Sequence, residues 1–255
     1  MMNLFNTDTV AQGYGADRPH LHPEVIRKIK KRLGLTGKVK NALDVGCGTG
    51  LSTIALKGIA ERIIGVDASE AMIASAIKES GVSYFTCPAE SLPPFDVKFD
   101  IITLAGSINW IDRRKFFTGA KRAIADDGHV VIYDIYIEGA MEGNAGFAAW
   151  YKDAYLQRFP RPPRDEAPIS DEEARSYGFT NYASETCSFK VPFTLEKYIR
   201  YMFTQSNITA AFKRSESPGS IREWFVSELP PYFTHAQEVI LFGGYVWYLK
   251  NAGNV

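Results

Sequence analysis

Between residues 41 and 136, short apolar runs alternate with helix-forming segments, and this rhythm decides the class of fold. NALDVG (41–46), RIIGVD (62–67), VSYFTC (82–87), FDIITLAG (99–106) and HVVIYDIY (129–136) read as strands. LSTIALKGIA (51–60), SEAMIASAIKE (69–79) and DRRKFFTGAKRAIA (112–125) read as the helices between them, with Ser69 a good N-cap. The strands are apolar on both faces, which a sheet tolerates only when layers cover both sides. Such alternation gives an α/β fold: a mostly parallel sheet with helices on both faces. Upstream, HPEVIRKIKKRL (22–33) sets Val25, Ile26, Ile29 and Leu33 at helical spacing behind Pro23.

After residue 136 the rhythm breaks. EGNAGFAAWYKDAYLQRF (142–159) puts Phe147, Trp150, Tyr151, Ala154 and Tyr155 on one helical face. SDEEARSYGF (170–179) opens with a capping box, Ser170 and Glu173. TNYASETCSFKV (180–191) reads as a strand, and TLEKYIRYMFTQ (194–205) and SPGSIREWFVSEL (217–229) as helices, the latter with Ser217–Pro218 as N-cap and first residue. EVILFGGYVWYLK (238–250) reads as a long final strand with a bulge at Gly243–Gly244. The expected organisation is a core over residues 1–136, a mostly helical cap over 137–237 that lends one strand (about 180–191) to the sheet, and a final core strand and tail over 238–255. Trp150, Tyr151, Tyr155, Tyr198, Tyr201 and Trp224 are candidates to line an apolar pocket, although most are expected to form the cap's own core. FPRPPRDEAP (159–168) reads as a loop; its Arg161 and Arg164, with Arg158, could bind an acidic substrate, although a solvated loop is the favoured reading.

Charge and cysteine content remove several classes of function. Lys plus Arg and Asp plus Glu number 29 each, so the net charge is zero, which argues against a nucleic-acid partner. The basic run from Arg27 to Lys40 has no interleaved aromatic residue and reads as a solvated helix face. Cys47, Cys87 and Cys187 lack metal-ligand spacing, so reduced thiols, a cytoplasmic setting and no metal are expected. No apolar run reaches the ~18 residues of a membrane span, and no basic start with a long apolar run marks a signal peptide.

The strand NALDVG runs into glycines 46, 48 and 50 and then a helix, the arrangement of a nucleotide-binding turn. The dinucleotide fingerprint would need its third glycine at position 51, which is Leu51. The pattern is instead Asp44-x-Gly46-x-Gly48-x-Gly50, in which a carboxylate suits a cationic ligand such as an amino acid's ammonium. Asp67 ends the second strand, where an acid can accept both hydroxyls of a ribose.

With these residues the chain resembles the class I S-adenosylmethionine-dependent methyltransferases, most closely the small-molecule group that includes trans-aconitate methyltransferase. ALDVGCGTG is similar to that family's first motif, IIGVDASEAMI to its second, PAESLPPFDVKFDII to the segment joining strands three and four, and SINWID to the motif after strand four. FNTDTVAQGYGADRPHLHP (5–23) resembles its leading segment, while the likeness beyond residue 136 rests on VPFTLEKYIRYMFTQSNI and the last strand. The resemblance implies a doubly wound, Rossmann-like, seven-stranded sheet with an antiparallel last strand. It implies S-adenosyl-L-methionine as cofactor, with S-adenosyl-L-homocysteine as product. Gly46, Cys47 and Gly48 would pass its methionine part along the backbone, and Asp44 would hold the ammonium directly or through water. Asp67 would take the ribose, Ala68 and Met72 would flank the adenine, and the Ala89–Glu90 turn would meet its edge. Ala105 would lie near the ammonium, and Tyr14 and Arg18 would close over the site. Asn109, Trp110 and Trp150 are the substrate-side candidates. Pro88 stands where many relatives carry an acid that reads the adenine amino group, and Asn109 where relatives often have histidine.

The implied reaction is methyl transfer to an O, N, S or carbon nucleophile of a small molecule, a carboxylate among the options. No catalytic residue is assigned by the sequence. A tRNA-modifying methyltransferase and a cofactor-binding relative without transfer activity are the alternatives, and a monomer or homodimer without membrane partners is expected.

Overall fold

A computed structural model describes residues 17–253. Helix α1 (His22–Arg32) precedes β1 (Val39–Val45). Then follow α2 (Leu51–Ala55, prolonged by a 3-10 turn), β2 (Ala60–Asp67), α3 (Glu70–Ala74), β3 (Val82–Thr86), β4 (Phe99–Ala105), α4 (Arg113–Ala123) and β5 (Ile124–Met141). Helix α5 (Ala145–Trp150) leads into a π-helical turn, Tyr151–Tyr155, and a last turn, Leu156–Arg158. Beyond lie α6 (Asp171–Ser176), β6 (Phe179–Phe193), α7 (Leu195–Phe203), α8 (Ser206–Lys213), α9 (Pro218–Glu228) and β7 (Glu238–Asn251).

The seven strands form one sheet in the order β3-β2-β1-β4-β5-β7-β6. Neighbours among β1 to β5 pair in parallel, and β7 runs antiparallel between β5 and β6. This is the doubly wound architecture expected. Alternate residues of the central strands feed two apolar cores. Ala42, Ile63, Ile101 and Val131 face Val25, Ile26 and Ile29 of α1 and the aromatic residues of α5, α7 and α9. Leu43, Ile102, Leu104 and Ile132 face Phe116, Phe117 and Ala120 of α4 and Ala174 of α6.

Three local expectations change. Gly243 and Gly244 sit in regular register opposite Tyr136 and Ile135, so they mark no bulge. A Cβ on Gly244 would come within 2.6 Å of the Asp134 carbonyl oxygen and 2.7 Å of Cys187 Sγ, so the strand needs glycine for close approach. The irregularities fall instead at Ile137/Ala140 and Asn181/Ala183. The helix expected over 69–79 ends at Ala74. Its N-cap is as expected, since Ser69 Oγ accepts from the Met72 amide. Finally, α6 lies on the α4 face rather than with the other helices of 137–237, and Tyr177 just beyond it stacks on Phe117 with ring centroids 4.6 Å apart.

Candidate functional site

In an open parallel sheet, ligands bind outside the carboxyl ends of the strands where the strand order reverses. Here that point lies between β1 and β4, and the glycine turn leaves β1 there. The amides of Gly46 and Cys47 both donate to the Val66 carbonyl, at 2.8 and 3.0 Å, so the turn is moored to the end of β2. Gly46 has φ +71°, and a Cβ on it would lie 2.5 Å from Ser107 Cβ. Ser107 in turn donates to the Val45 carbonyl at 2.9 Å. The glycine therefore lets the loops after β1 and β4 touch at the switch point. Gly50 serves packing: a Cβ there would lie 2.3 Å from the hydroxyl of Tyr84.

Asp67 stands at the end of β2, half-buried. One carboxylate oxygen accepts from the Gly48 amide at 2.9 Å and the other from the Ser69 amide at 2.8 Å. Burial raises its pKa, and the two backbone donors oppose that shift. A carboxylate oxygen has room for a second donor, so both can still receive hydroxyls from a ligand lying along the turn. Ala68 beside it is exposed, whereas Met72 is buried in α3. Across the cleft the 3-10 turn Ala89–Ser91 follows Pro88, and Glu90 ties it to α4 by accepting from the Asp112 amide at 3.1 Å.

Asp44 occupies a different environment. It is fully buried behind the turn. Its carboxylate accepts from Ser52 Oγ at 2.6 Å, Thr53 Oγ1 at 2.7 Å and Thr103 Oγ1 at 2.8 Å. Burial raises its pKa despite these three donors. In this arrangement Asp44 clamps β1 to α2 and β4.

A cavity opens past the ends of β4 and β5. Ala105, Gly106 and Trp110 line one side, Tyr133 to Ile137 the floor, and Tyr151, Tyr201 and the 161–164 loop the roof. Arg18 lines it too, and donates to Thr204 Oγ1 at 3.3 Å and the Thr204 carbonyl at 3.1 Å, joining the segment before α1 to the turn between α7 and α8. Asn109 is buried below the loop, its carbonyl accepting from the Asp165 amide at 3.2 Å. Trp150 lies in the aromatic interior around α5 and α9, stacked on Trp224 with ring centroids 5.9 Å apart, and its indole donates to Glu228. It does not line the cavity among the residues described. Tyr14 lies outside the described residues.

Sequence reasoning missed several cavity residues. Arg161, exposed, and Arg164, half-buried, lie on the loop weighed between a solvated face and an acidic-substrate site, and both line the cavity. The cause is Arg113 of α4, buried, whose guanidinium donates to the Ala167 carbonyl at 2.7 Å and lies 3.3 Å from the Asp165 carboxylate. It holds the loop over the strand ends. Arg158 is directed elsewhere, against Trp224 and towards Glu216. Asp134 and Tyr133 end the parallel part of β5, the same position that singled out Asp67 on β2, and the strand-end rule would have found them. His22, just after Arg18-Pro19, shares a hydrogen bond of 2.9 Å between its Nδ1 and the Tyr133 hydroxyl.

Burial, then Arg18 and His20, lower the His22 pKa from 6.5 to about 4. This predicts a pH dependence. Below pH 6.5 the unfolded chain takes up a proton that the folded one refuses, so stability falls as pH drops from about 6.5 towards 4. Because the residue is half-buried, the discounted loss is about 1–3 kcal/mol. Urea midpoints at pH 7 and 4.5 should differ less in His22→Gln than in the parent; an equal difference would contradict the shift.

Residues 43–132 match the family model described as "Methyltransferase domain". A Dictyostelium discoideum protein described as a methyltransferase is 24% identical over 174 residues, 68% of this chain and 66% of that protein. The malonyl-[acyl-carrier protein] O-methyltransferase of Hamiltonella defensa is 29% identical over 133 residues, 50% of this chain and 51% of its own. The chain thus spans about half to two thirds of the length of these curated relatives. Among solved structures, a protein of Anaeromyxobacter dehalogenans described as a type II methyltransferase superposes with a TM-score of 0.65 at 19% identity, covering 88% of this chain and 95% of that one. YcgJ of Bacillus subtilis superposes with a TM-score of 0.54 at 18% identity, over 92% and 100% of the two chains. Residues 43–132, which hold the turn after β1 and the strand-end acid, thus match a methyltransferase domain, and the sheet has the class I methyltransferase fold.

Proposed function

We propose that the protein transfers a methyl group from S-adenosylmethionine to a small-molecule acceptor held under the roof of the cavity. The observation that carries this reading is the Asp67 carboxylate, fixed by the Gly48 and Ser69 amides beside the switch point and next to a separate roofed cavity. The residues suit the cofactor. Asp67 would accept its ribose hydroxyls, the backbone of Gly46, Cys47 and Gly48 would lie along its methionine part, and Ala68, Met72 and the Ala89–Glu90 turn would bound the adenine. Asp44, closed in by hydroxyls, would hold the turn rather than touch the ammonium. Ala105 and Arg18 border the cavity, where the methionine end would meet the acceptor.

When bound, S-adenosylmethionine supplies a methyl on a sulfonium, already electrophilic. The chain's part is then to orient the nucleophile and exclude water, effects that reach ~7–11 kcal/mol in favourable cases. A carboxylate nucleophile would need no base. For a protonated one, neutral His22 in the cavity wall is in the state required to accept a proton. Incubation with methyl-labelled S-adenosylmethionine and a library of small acids, phenols, amines and thiols tests the reading. Labelled product from a discrete set of acceptors is expected. Tight cofactor binding with no transfer to any acceptor would point instead to a binding protein on a methyltransferase fold.

A further inference from the structure

The cavity is cationic and its roof is rich in hydrogen-bond donors. Arg18, Arg161 and Arg164 line it against one carboxylate, Asp134. The three arginines are not equivalent. Arg18 donates to Thr204, and Arg164 pairs with Glu166 at 2.6 Å. Arg161 forms no ion pair among the described residues, and it faces the hydroxyl of Tyr151. Behind Tyr151 and Tyr201, which line the cavity, the hydroxyls of Tyr155 and Tyr198 are buried with no hydrogen-bond partner among the described residues. The rings of Tyr151 and Tyr155 lie 4.9 Å apart and those of Tyr198 and Tyr201 6.4 Å apart.

A buried hydroxyl without a partner is destabilising, and native folds retain few of them. Two such hydroxyls lie behind the wall formed by Tyr151 and Tyr201, and Arg161 of the same wall has no anion among the described residues, so this side of the cavity lacks an acceptor. A carboxylate supplies several lone pairs to a guanidinium and neighbouring phenols in charge-assisted bonds. An ammonium there would meet like charge, and a neutral amide would bring donors as well as an acceptor.

Building on the methyltransferase reading, we infer that the cap selects a carboxylate-bearing acceptor, whose anionic group is received by Arg161 and the tyrosines of the cavity roof. Trp110, Tyr133 and Phe242 line the remaining wall and suit a small flat body.

The test is calorimetry of the full chain saturated with S-adenosylhomocysteine. The probes are benzoate, phenylacetate and succinate, each beside its amide, with phenyl phosphate as a further anion. At least one acid should bind ten-fold or more tighter than its amide. Arg161→Gln should abolish that preference and leave S-adenosylhomocysteine affinity unchanged. The double variant Tyr155→Phe, Tyr198→Phe should melt higher, because two unpartnered hydroxyls are gone, yet bind the acid at least three-fold more weakly. A purely structural pair of hydroxyls would change the melting point alone. Equal binding of acid and amide, binding of phenyl phosphate but no acid, binding of no acid, or a preference that survives Arg161→Gln would overturn the inference. Failure of S-adenosylhomocysteine itself to bind would count against the methyltransferase reading, and the acid–amide comparison on the ligand-free chain would still decide for or against the carboxylate preference.

Discussion

Replacing Asp44 with alanine is expected to lower the unfolding free energy by ~2–4 kcal/mol, the scale of stranding several buried hydrogen-bond donors. For a chain of this length that is a fall in melting temperature of about 5–15 °C. The reason is local. Ser52 and Thr53 from α2 and Thr103 from β4 all direct hydroxyls at this one carboxylate, so its removal leaves three buried donors and a void where three elements meet. Asp44→Asn keeps the shape and one acceptor oxygen, and should cost less. The sign of its pH dependence also follows. Burial raises the folded pKa above the unfolded one, so the carboxyl's contribution is fully present below the unfolded pKa and is lost as pH rises through the folded one. The deficit of the asparagine variant should therefore shrink as pH rises from acid towards neutral. Thermal melts across pH measure this, and an alanine variant as stable as the parent would refute the clamp.

The second large effect concerns binding. Asp67→Ala should weaken affinity for S-adenosylhomocysteine by ~1.5–3 kcal/mol, the range of charge-assisted hydrogen bonds, or about 10- to 150-fold. Its fold should survive, because the amides of Gly48 and Ser69 border a half-open cleft and water can replace the lost acceptor. The two aspartates thus separate stability from ligand binding, although both border the glycine turn, Asp44 two residues before Gly46 and Asp67 through its bond to the Gly48 amide. Unchanged affinity in the Asp67 variant would mean that the carboxylate only caps α3.

The contrast between them also shows what the sequence could reveal. The parallel strands were legible because both faces of the central ones are covered, so runs such as ALDV and IITL carry a single polar residue each. The place of Asp67 was legible because it is the last residue of its strand. The partners of Asp44 were not legible, because they come from α2 and β4 and only tertiary packing shows that three hydroxyls surround it. The segment 159–168 was legible as a loop, but its place over the strand ends was not. Proline and arginine make FPRPPRDEAP look like a solvated linker, and it is Arg113, 48 to 54 residues away in sequence from Arg161 to Ala167, that fastens it over the strand ends. Helix α8 was missed because it follows α7 after a break of only two residues, Thr204 and Gln205, which the helical pattern of TLEKYIRYMFTQ ran through.

Calorimetry of the purified protein with S-adenosylmethionine, S-adenosylhomocysteine and NAD, side by side, bears most directly on the account. Micromolar binding of the first two and none of NAD is the predicted result, because the turn after β1 lacks the third glycine of a dinucleotide site and Asp67 stands ready for a single ribose. Binding of NAD alone would contradict it.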